Sequence, residues 1–374
     1  MKVLVINWRD IKNPEAGGAE IHIDEILKRK PSHWQVDFVS SRFKNSSPSE
    51  RINGYNVIRI GNKFNFNTVF RRLWKRDFSR RGYSLVIDDI SKIPLATPNY
   101  IKNVPILAIH HHVHGKSLFK EAFFPLAVYI YIIERVLLKT YRDIPLIAVS
   151  QSNIDELMEL ADFKQIILSH NGVDLKYPFE RGNGAVSKTL TPTLVYLGRI
   201  KKYKRIDHLI TAFKEVVTHI PEARFIIVGT GDDLPRLKRL VSAYGMEKFV
   251  EFKGYVDEYE KSRILASSWL FGITSEKEGW GIVVIEANFF GTPVIAYNVQ
   301  GLRDSVGNDY NGILVEDGNI SELSEAILTV FRDSNKRQKL SENAVNWASK
   351  FNWDNTSAEF YQVADNILSQ WKEK

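Results

Sequence analysis

Along the first 172 residues, short apolar runs alternate with stretches of helical period, the pattern of a parallel sheet covered on both faces. Strands are predicted at Lys2–Asn7, Gln35–Ser40, Asn56–Ile60, Ser84–Asp88, Ile106–Ile109, Leu146–Ser150 and Ile166–Leu168. A polar stretch with Gly and Ser, Glu180 to Lys188, reads as a linker. A second α/β pattern begins at Thr193, with strands at Leu194–Leu197, Arg224–Val228, Val250–Phe252, Trp269–Ile273, Pro293–Tyr297 and Gly312–Val315. Amphipathic helices at Ile320–Arg332 and Asn335–Lys350 close it. A chain of 374 residues is long for one core, so two domains are expected.

Composition narrows this picture. The 44% hydrophobic and 25% charged fractions are those of a soluble globular protein. No apolar run reaches the roughly 20 residues needed to span a bilayer; the longest, Phe123 to Leu138, is interrupted by Pro125 and Glu134. The opening MKVLVINW reads as a strand rather than a signal peptide, so a cytoplasmic location is expected. Without cysteine, thiol catalysis, disulfides and thiolate metal sites are excluded. A net charge of +7 points to an anionic partner: nucleic acid, an acidic membrane face or a phosphorylated substrate.

The chemistry concentrates in SEKEGWGIVVIEANFFGTPVIA, Ser275 to Ala296. Glu278 and Glu286 stand eight residues apart, and a helix starting near Gly281 would hold both roughly on one side, with Glu286 two turns in. The N–H groups of Gly279, Trp280, Gly281 and Ile282 would form an anion-ready helix start. Two carboxylates for hydroxyls and a helix N-terminus for phosphate suit a sugar nucleotide. Gly198-Arg199, with Lys204 five residues on, adds a planar fork and a mobile point charge, both suited to a leaving diphosphate.

Other segments are less specific. Gly17-Gly18 closes a long loop after the first strand; this is not G-x-G-x-x-G, so a nicotinamide enzyme is not expected. The loop reads as mobile, shaping a ligand site at the strand's carboxyl end. His110, His111, His112 and His114 cluster after a strand, and metal binding is conceivable although no carboxylate lies in the cluster. In Asn62–Arg81, Phe66, Val69, Phe70, Leu73, Trp74 and Phe78 share one helical face, and Arg71, Arg72, Lys75 and Arg76 the other. The apolar stripe reads as core, with the basic face free to meet anionic lipid; Phe119–Leu138 would add to that surface.

These motifs resemble the E-x7-E signature of retaining glycosyltransferases with the GT-B fold, family 4. AGGAE, HNGVD at 170–174, GRIKKYK at 198–204, VGTGDD at 228–233 and FKGYV at 252–256 follow in the order that family shows. The resemblance implies an α/β fold of two Rossmann-like domains facing across a cleft. They would be an acceptor-binding domain at 1–172 and a nucleotide-sugar domain at 173–356, with a last helix at 357–374 crossing back onto the first. It also implies that Arg199 and Lys204 bind the diphosphate, Glu286 the ribose hydroxyls, and Glu278 the transferred sugar. Gly254, Tyr255 and Val256 would read the base by their backbone, and Gly17 and Gly18 would belong to the donor site. A histidine at the reacting centre matches His111 best, with His110 as the alternative.

The resulting expectation is a retaining hexosyltransferase using a UDP- or GDP-linked sugar, without cofactor or metal, because no Asp-x-Asp pair stands at the donor site. Its partners would be a glycan, lipid-linked acceptor and an anionic membrane surface. A nucleotide-sugar epimerase or a phosphorylase of the same fold is the alternative, although a phosphorylase would want a pyridoxal lysine and a longer chain. A nucleic-acid binder lacks any recognisable motif.

Overall fold

A computed structural model describes residues 1–115, 119, 123–173 and 186–373. The chain divides into two compact units, Met1–Gly172 with Trp353–Lys374, and Val173–Asn352. Each is an α/β layer structure. Asp174 of the HNGVD motif, most of the expected linker (180–185) and part of the Phe119–Leu138 segment lie outside the described residues.

In the first unit the described strands are β1 (Lys2–Ile6), β2 (Gln35–Arg42), β3 (Ser49–Ile52), β4 (Tyr55–Asn62), β5 (Leu85–Asp89), β6 (Ile106–His110), β7 (Leu146–Ala148) and β8 (Ile166–Leu168). They form one sheet in the order β3-β4-β2-β1-β5-β6-β7-β8. Every pairing is parallel except β3 with β4. The chain winds outward from β1 in one direction and then, from β5, in the other, so the strand order reverses between β1 and β5. Strands such as KVLVI are apolar throughout because helices cover both faces.

Strand β3 is absent from the predicted set. It pairs with β4 through Asn53-Gly54, both in the left-handed region at φ 45° and 85°. An Asn-Gly pair is the strongest short-range hairpin signal.

Helix α1 (Gly18–Lys28) and helix α2 (Phe66–Arg76) pack on the sheet. Phe66, Phe70 and Trp74 on α2, and Phe78 just after it, are buried against Leu4, Ile6 and Val39. The apolar stripe is therefore core, while Arg71, Arg72, Lys75 and Arg76 are exposed. Helices α3 (Phe124–Leu138) and α4 (Gln151–Leu160) follow. Helix α3 buries only Ala127, Glu134 and Leu138, and leaves Phe124, Leu126, Tyr129, Ile132 and Val136 exposed.

The second unit repeats the theme with β9 (Thr193–Leu197), β10 (Arg224–Val228), β11 (Val250–Gly254), β12 (Leu270–Ile273), β13 (Val294–Tyr297) and β14 (Gly312–Val315). These are all parallel, in the order β11-β10-β9-β12-β13-β14. Its helices are α5 (Ile206–His219), α6 (Leu234–Ala243), α7 (Glu258–Ser267), α8 (Ile282–Phe289), α9 (Leu302–Ser305), α10 (Ile320–Arg332) and α11 (Ser334–Ala348).

The last helix, α12, runs from Trp353 to Lys372 and belongs to the first unit. It begins four residues before the expected Ser357, so the second unit ends at Asn352 rather than 356. Phe360, Ala364 and Ile367 carry the periodic signal, but buried Trp353 supplies an earlier turn by stacking on His22. Tyr361 donates its hydroxyl to the Ile26 carbonyl at 2.6 Å, tying α12 to α1.

Candidate active site

In an open α/β sheet, ligands bind beyond the carboxyl ends of the strands where the strand order reverses. In the second unit that point lies between β9 and β12, and the segments leaving those strands carry Gly198–Lys204 and Thr274–Gly281. The Lys204 ammonium donates to Glu278 Oε1, which also accepts from Ser275 Oγ at 2.6 Å. Both partners are mostly buried, with side-chain exposures of 13% and 16%. Burial alone would pull the Lys204 pKa down. The Glu278 carboxylate, aided by Tyr203 and Tyr196, outweighs it and pushes Lys204 well above the usual lysine range. The switch point therefore holds a permanent cation.

Arg205 braces this junction. Its guanidinium donates to the carbonyls of Thr274 (3.0 Å) and Ser275 (3.3 Å) and pairs with Asp317. Tyr196 on β9 donates to the Arg199 carbonyl at 3.0 Å, fixing the main chain beside Gly198.

Glu278 is not on a helix. Helix α8 starts at Ile282 with Gly281 as its cap at φ 87°, a conformation that a residue with a Cβ would strain to adopt. Glu286 is thus little more than one turn into α8 rather than two. Each carboxylate engages its own cation. Glu286 accepts from Lys261 of α7 at 2.8 Å, and Lys261 also pairs with Glu258 at 2.6 Å. Lys261 was not singled out from the sequence, because α7 precedes the motif by a strand.

The start of α8 is closely backed. The Glu278 N–H donates to the Gln300 carbonyl at 3.2 Å, and a Cβ on Gly301 would stand 2.3 Å from the Glu278 carbonyl oxygen. Gly301, also missed, is therefore required for the Glu278–Ile282 turn to sit where it does. The Trp280 side chain is buried against Phe351, at 4.8 Å between ring centroids, so only its main chain faces the helix start. Gly254 ends β11, and Tyr255 and Val256 follow it; the Gly254 carbonyl accepts from the Gly229 N–H at 2.8 Å, and Tyr255 is exposed.

The first unit places Gly17, Gly18 and His111 at the carboxyl side of its own sheet. Gly17 caps α1, its N–H donating to Glu20 Oε2 at 2.7 Å, and Gly18 is the first helical residue. The loop before them, expected to be mobile, is anchored. Asp10, fully buried, takes two bonds from the equally buried Arg59 guanidinium, at 2.7 and 2.8 Å, and one from Ser40 at 2.8 Å.

The histidines separate cleanly. His110 is buried beside Asn153, with Nδ1 at 3.2 Å from Asn153 Oδ1, and burial pushes it down to about 4. His111 is largely buried as well, with Nε2 at 2.9 Å from Asp89 Oδ1. A carboxylate does join the cluster: Glu134 of α3 accepts from the His114 N–H and lies 2.8 Å from His114 Nδ1. Even so, no group of three or more His, Asp or Glu side chains among the described residues is arranged to hold a metal.

With this geometry in hand, residues 184–347 match the family model described as "Glycosyl transferases group 1". Poly(glycerol-phosphate) alpha-glucosyltransferase of Bacillus subtilis (strain 168) is 34% identical over 43% of this chain and 24% of its own length. The chain spans between about a quarter and about half the length of the first curated relatives it matches. Among solved structures, sucrose-phosphate synthase from Thermosynechococcus elongatus superposes with a TM-score of 0.81 at 21% identity, over 99% of both chains. Anabaena HepE in complex with UDP-glucose gives 0.77 at 20% identity, over 98% of this chain and 100% of that one. These likenesses identify the two-unit α/β fold as GT-B. No helix among the described residues is long and apolar enough to cross a membrane.

Proposed function

We propose, from the match of residues 184–347 to the group 1 glycosyl transferase model, that this chain is a retaining, metal-independent hexosyltransferase using a nucleotide-diphosphate sugar. The observation that carries the proposal is the Lys204–Glu278 pair at the switch point of the second sheet, beside the glycine-flanked start of α8. A cation held ionised, a helix N-terminus and a carboxylate converge there, as a sugar diphosphate requires.

In the proposed reaction the bond between the sugar's anomeric carbon and the phosphate oxygen breaks, and its electron pair leaves with the diphosphate. The acceptor hydroxyl oxygen bonds that carbon from the same face and passes its proton to the departing phosphate oxygen. The products are a nucleoside diphosphate and a glycoside of unchanged anomeric configuration. Arg199 and Lys204 offset the charge developing on the leaving group. Glu278 holds Lys204 in place and turns its free lone pairs to the sugar, while Glu286 accepts from the ribose hydroxyls. These side-chain cations are the reason for proposing that no metal is needed. A relative solved with UDP-glucose favours a UDP-linked donor.

The acceptor is proposed to be lipid-linked, with the protein docking on anionic membrane. Two features of the first unit support this: the exposed basic face of α2, and the exposed apolar residues of α3. Release of nucleoside diphosphate from UDP- and GDP-hexoses, with and without membrane lipid extract and with excess chelator, tests the reading. Release that is donor-selective, lipid-stimulated and chelator-resistant, with retained configuration by NMR, is expected. Inverted product, or activity abolished by chelation and restored by magnesium, would overturn it. Conversion of the donor sugar without transfer would favour an epimerase instead.

A further inference from the structure

The reversal of strand order in the first unit, between β1 and β5, also carries a polar chain. Asn7, directly after β1, donates from Nδ2 to Asp89 Oδ2 at 2.6 Å. Asp89 ends β5, and its other oxygen lies 2.9 Å from Nε2 of His111, which follows β6. The Asp89 side chain is 1% exposed and that of His111 10%. The Asn7 amide cannot turn over, because its Oδ1 accepts from the Arg9 N–H at 3.0 Å. Its nitrogen therefore faces Asp89.

The behaviour of the ring follows from these contacts. A carboxylate only accepts, so the imidazole nitrogen that faces it carries the proton. That nitrogen is Nε2. In the neutral ring Nδ1 then keeps its lone pair, and it makes no hydrogen bond to a described residue. On the other side the ring meets His22 edge-on, with centroids 5.3 Å apart. His22 is buried and stacked on Trp353 at 5.9 Å, and neither of its nitrogens has a hydrogen-bond partner among the described residues. It serves as an apolar aromatic wall. Burial, and secondarily His111, hold it well below the usual histidine range, so it brings no competing charge.

We propose that Asp89, oriented by Asn7, is a positioning residue that locks His111 as the Nε2–H tautomer, so that Nδ1 accepts a hydrogen bond from a hydroxyl of the bound sugar. The proposal rests on the glycosyltransferase reading above and adds to it a tautomer and the residue that sets it. A ring with the proton on Nδ1 would meet the same hydroxyl as a donor, reversing the preference for which sugar oxygen is presented.

The Asp89→Asn variant tests this through the geometry of Asn7. The Asn7 N–H would still select an oxygen at the Oδ2 position, which places the new amide nitrogen against Nε2. The His111 proton would then move to Nδ1. In uniformly 15N-labelled protein, two-bond 15N–1H imidazole spectra report which nitrogen is protonated, and loss of the signal in His111→Gln assigns it. Wild type should show Nε2–H and Asp89→Asn should show Nδ1–H. Turnover should fall about 10- to 100-fold, as when orienting carboxylates are removed from metal-binding imidazoles, with little change in donor KM. In a His111→Ala background, Asp89→Asn should have no further effect.

A wild-type spectrum with the proton on Nδ1 would overturn the proposal even if the variant fails to fold. So would losses from the two substitutions that simply add. A His111→Ala enzyme of full activity would remove His111 from the sugar site, while the spectra would still report whether Asp89 sets the tautomer.

Discussion

Replacing Lys204 with alanine separates two roles that the structure gives one side chain. Its ammonium pairs with Glu278 and lies 5.1 Å from the centre of the Tyr203 ring, in a mostly buried position. Deleting it strands the Glu278 carboxylate with Ser275 Oγ as its remaining side-chain donor. Breaking a fully buried pair costs about 3–5 kcal/mol. Here both partners keep some solvent and Ser275 remains, so about 1–3 kcal/mol is expected. A domain with roughly 5–15 kcal/mol of stability survives that loss. The catalytic loss should be larger, because removing a preorganised group that meets developing charge costs roughly 3–4 kcal/mol, or about 10²-fold or more in turnover. Turnover at saturating donor, read beside the urea midpoint, distinguishes the two losses. In Glu278→Gln the lysine keeps its charge, so turnover should fall less than in Lys204→Ala. If Lys204→Ala keeps turnover within a few fold while its urea midpoint drops, Lys204 is a brace between β9 and β12 and not a leaving-group cation.

For Glu286→Ala, titration with free nucleoside diphosphate should show about tenfold or greater weakening, as hydrogen bonds to a charged group contribute about 1.5–3 kcal/mol; equal affinity in a folded variant refutes the ribose assignment. Asp88 is fully buried, and burial raises it to about 6 despite bonds from Thr97 and Tyr141. Its folded pKa lies above the unfolded value, so its stabilisation is complete below about pH 4 and is lost as pH rises through about 6. Relative to wild type, Asp88→Asn should therefore gain about 2–3 kcal/mol in denaturant-measured stability between pH 4 and 7, and a flat difference would refute the shift. Changing Arg71, Arg72, Lys75 and Arg76 to Gln should abolish most co-sedimentation with anionic vesicles, at about 1 kcal/mol per charge, and high salt should mimic it. Wild-type protein that fails to sediment at low salt would point to a soluble acceptor.

Periodicity located the strands because most are buried on both faces and read as continuous apolar runs. It passed over β3, since SERI is polar and half exposed, although Asn53-Gly54 marked the turn. Within the site, Glu278, Glu286 and Lys204 were legible because two short segments carry them. Their partners were not. Lys261 comes from the helix before β12, Gly301 from the segment after β13, and Ser275 reads as an ordinary strand-end residue. Sheet order alone brings Asn7, Asp89 and His111 together from three strands, and α1 adds His22. Glu134, twenty residues beyond His114, joins the histidines only once α3 folds back. In each case the missing information was non-local pairing, which local spacing does not encode.

The placement of α12 sets an order of assembly during synthesis. Residues Val173–Asn352 are contiguous, so the second unit can close as soon as they have left the ribosome. The first unit begins earlier yet cannot finish, because Phe360, Tyr361, Ala364 and Ile367 complete the core formed with Val3, Ile26 and Trp34. The usual N-to-C order of domain folding is therefore inverted. Until α12 emerges, an apolar face of the nascent first unit stays open to chaperones. A stalled or trimmed chain would carry a finished second unit and an unfinished first.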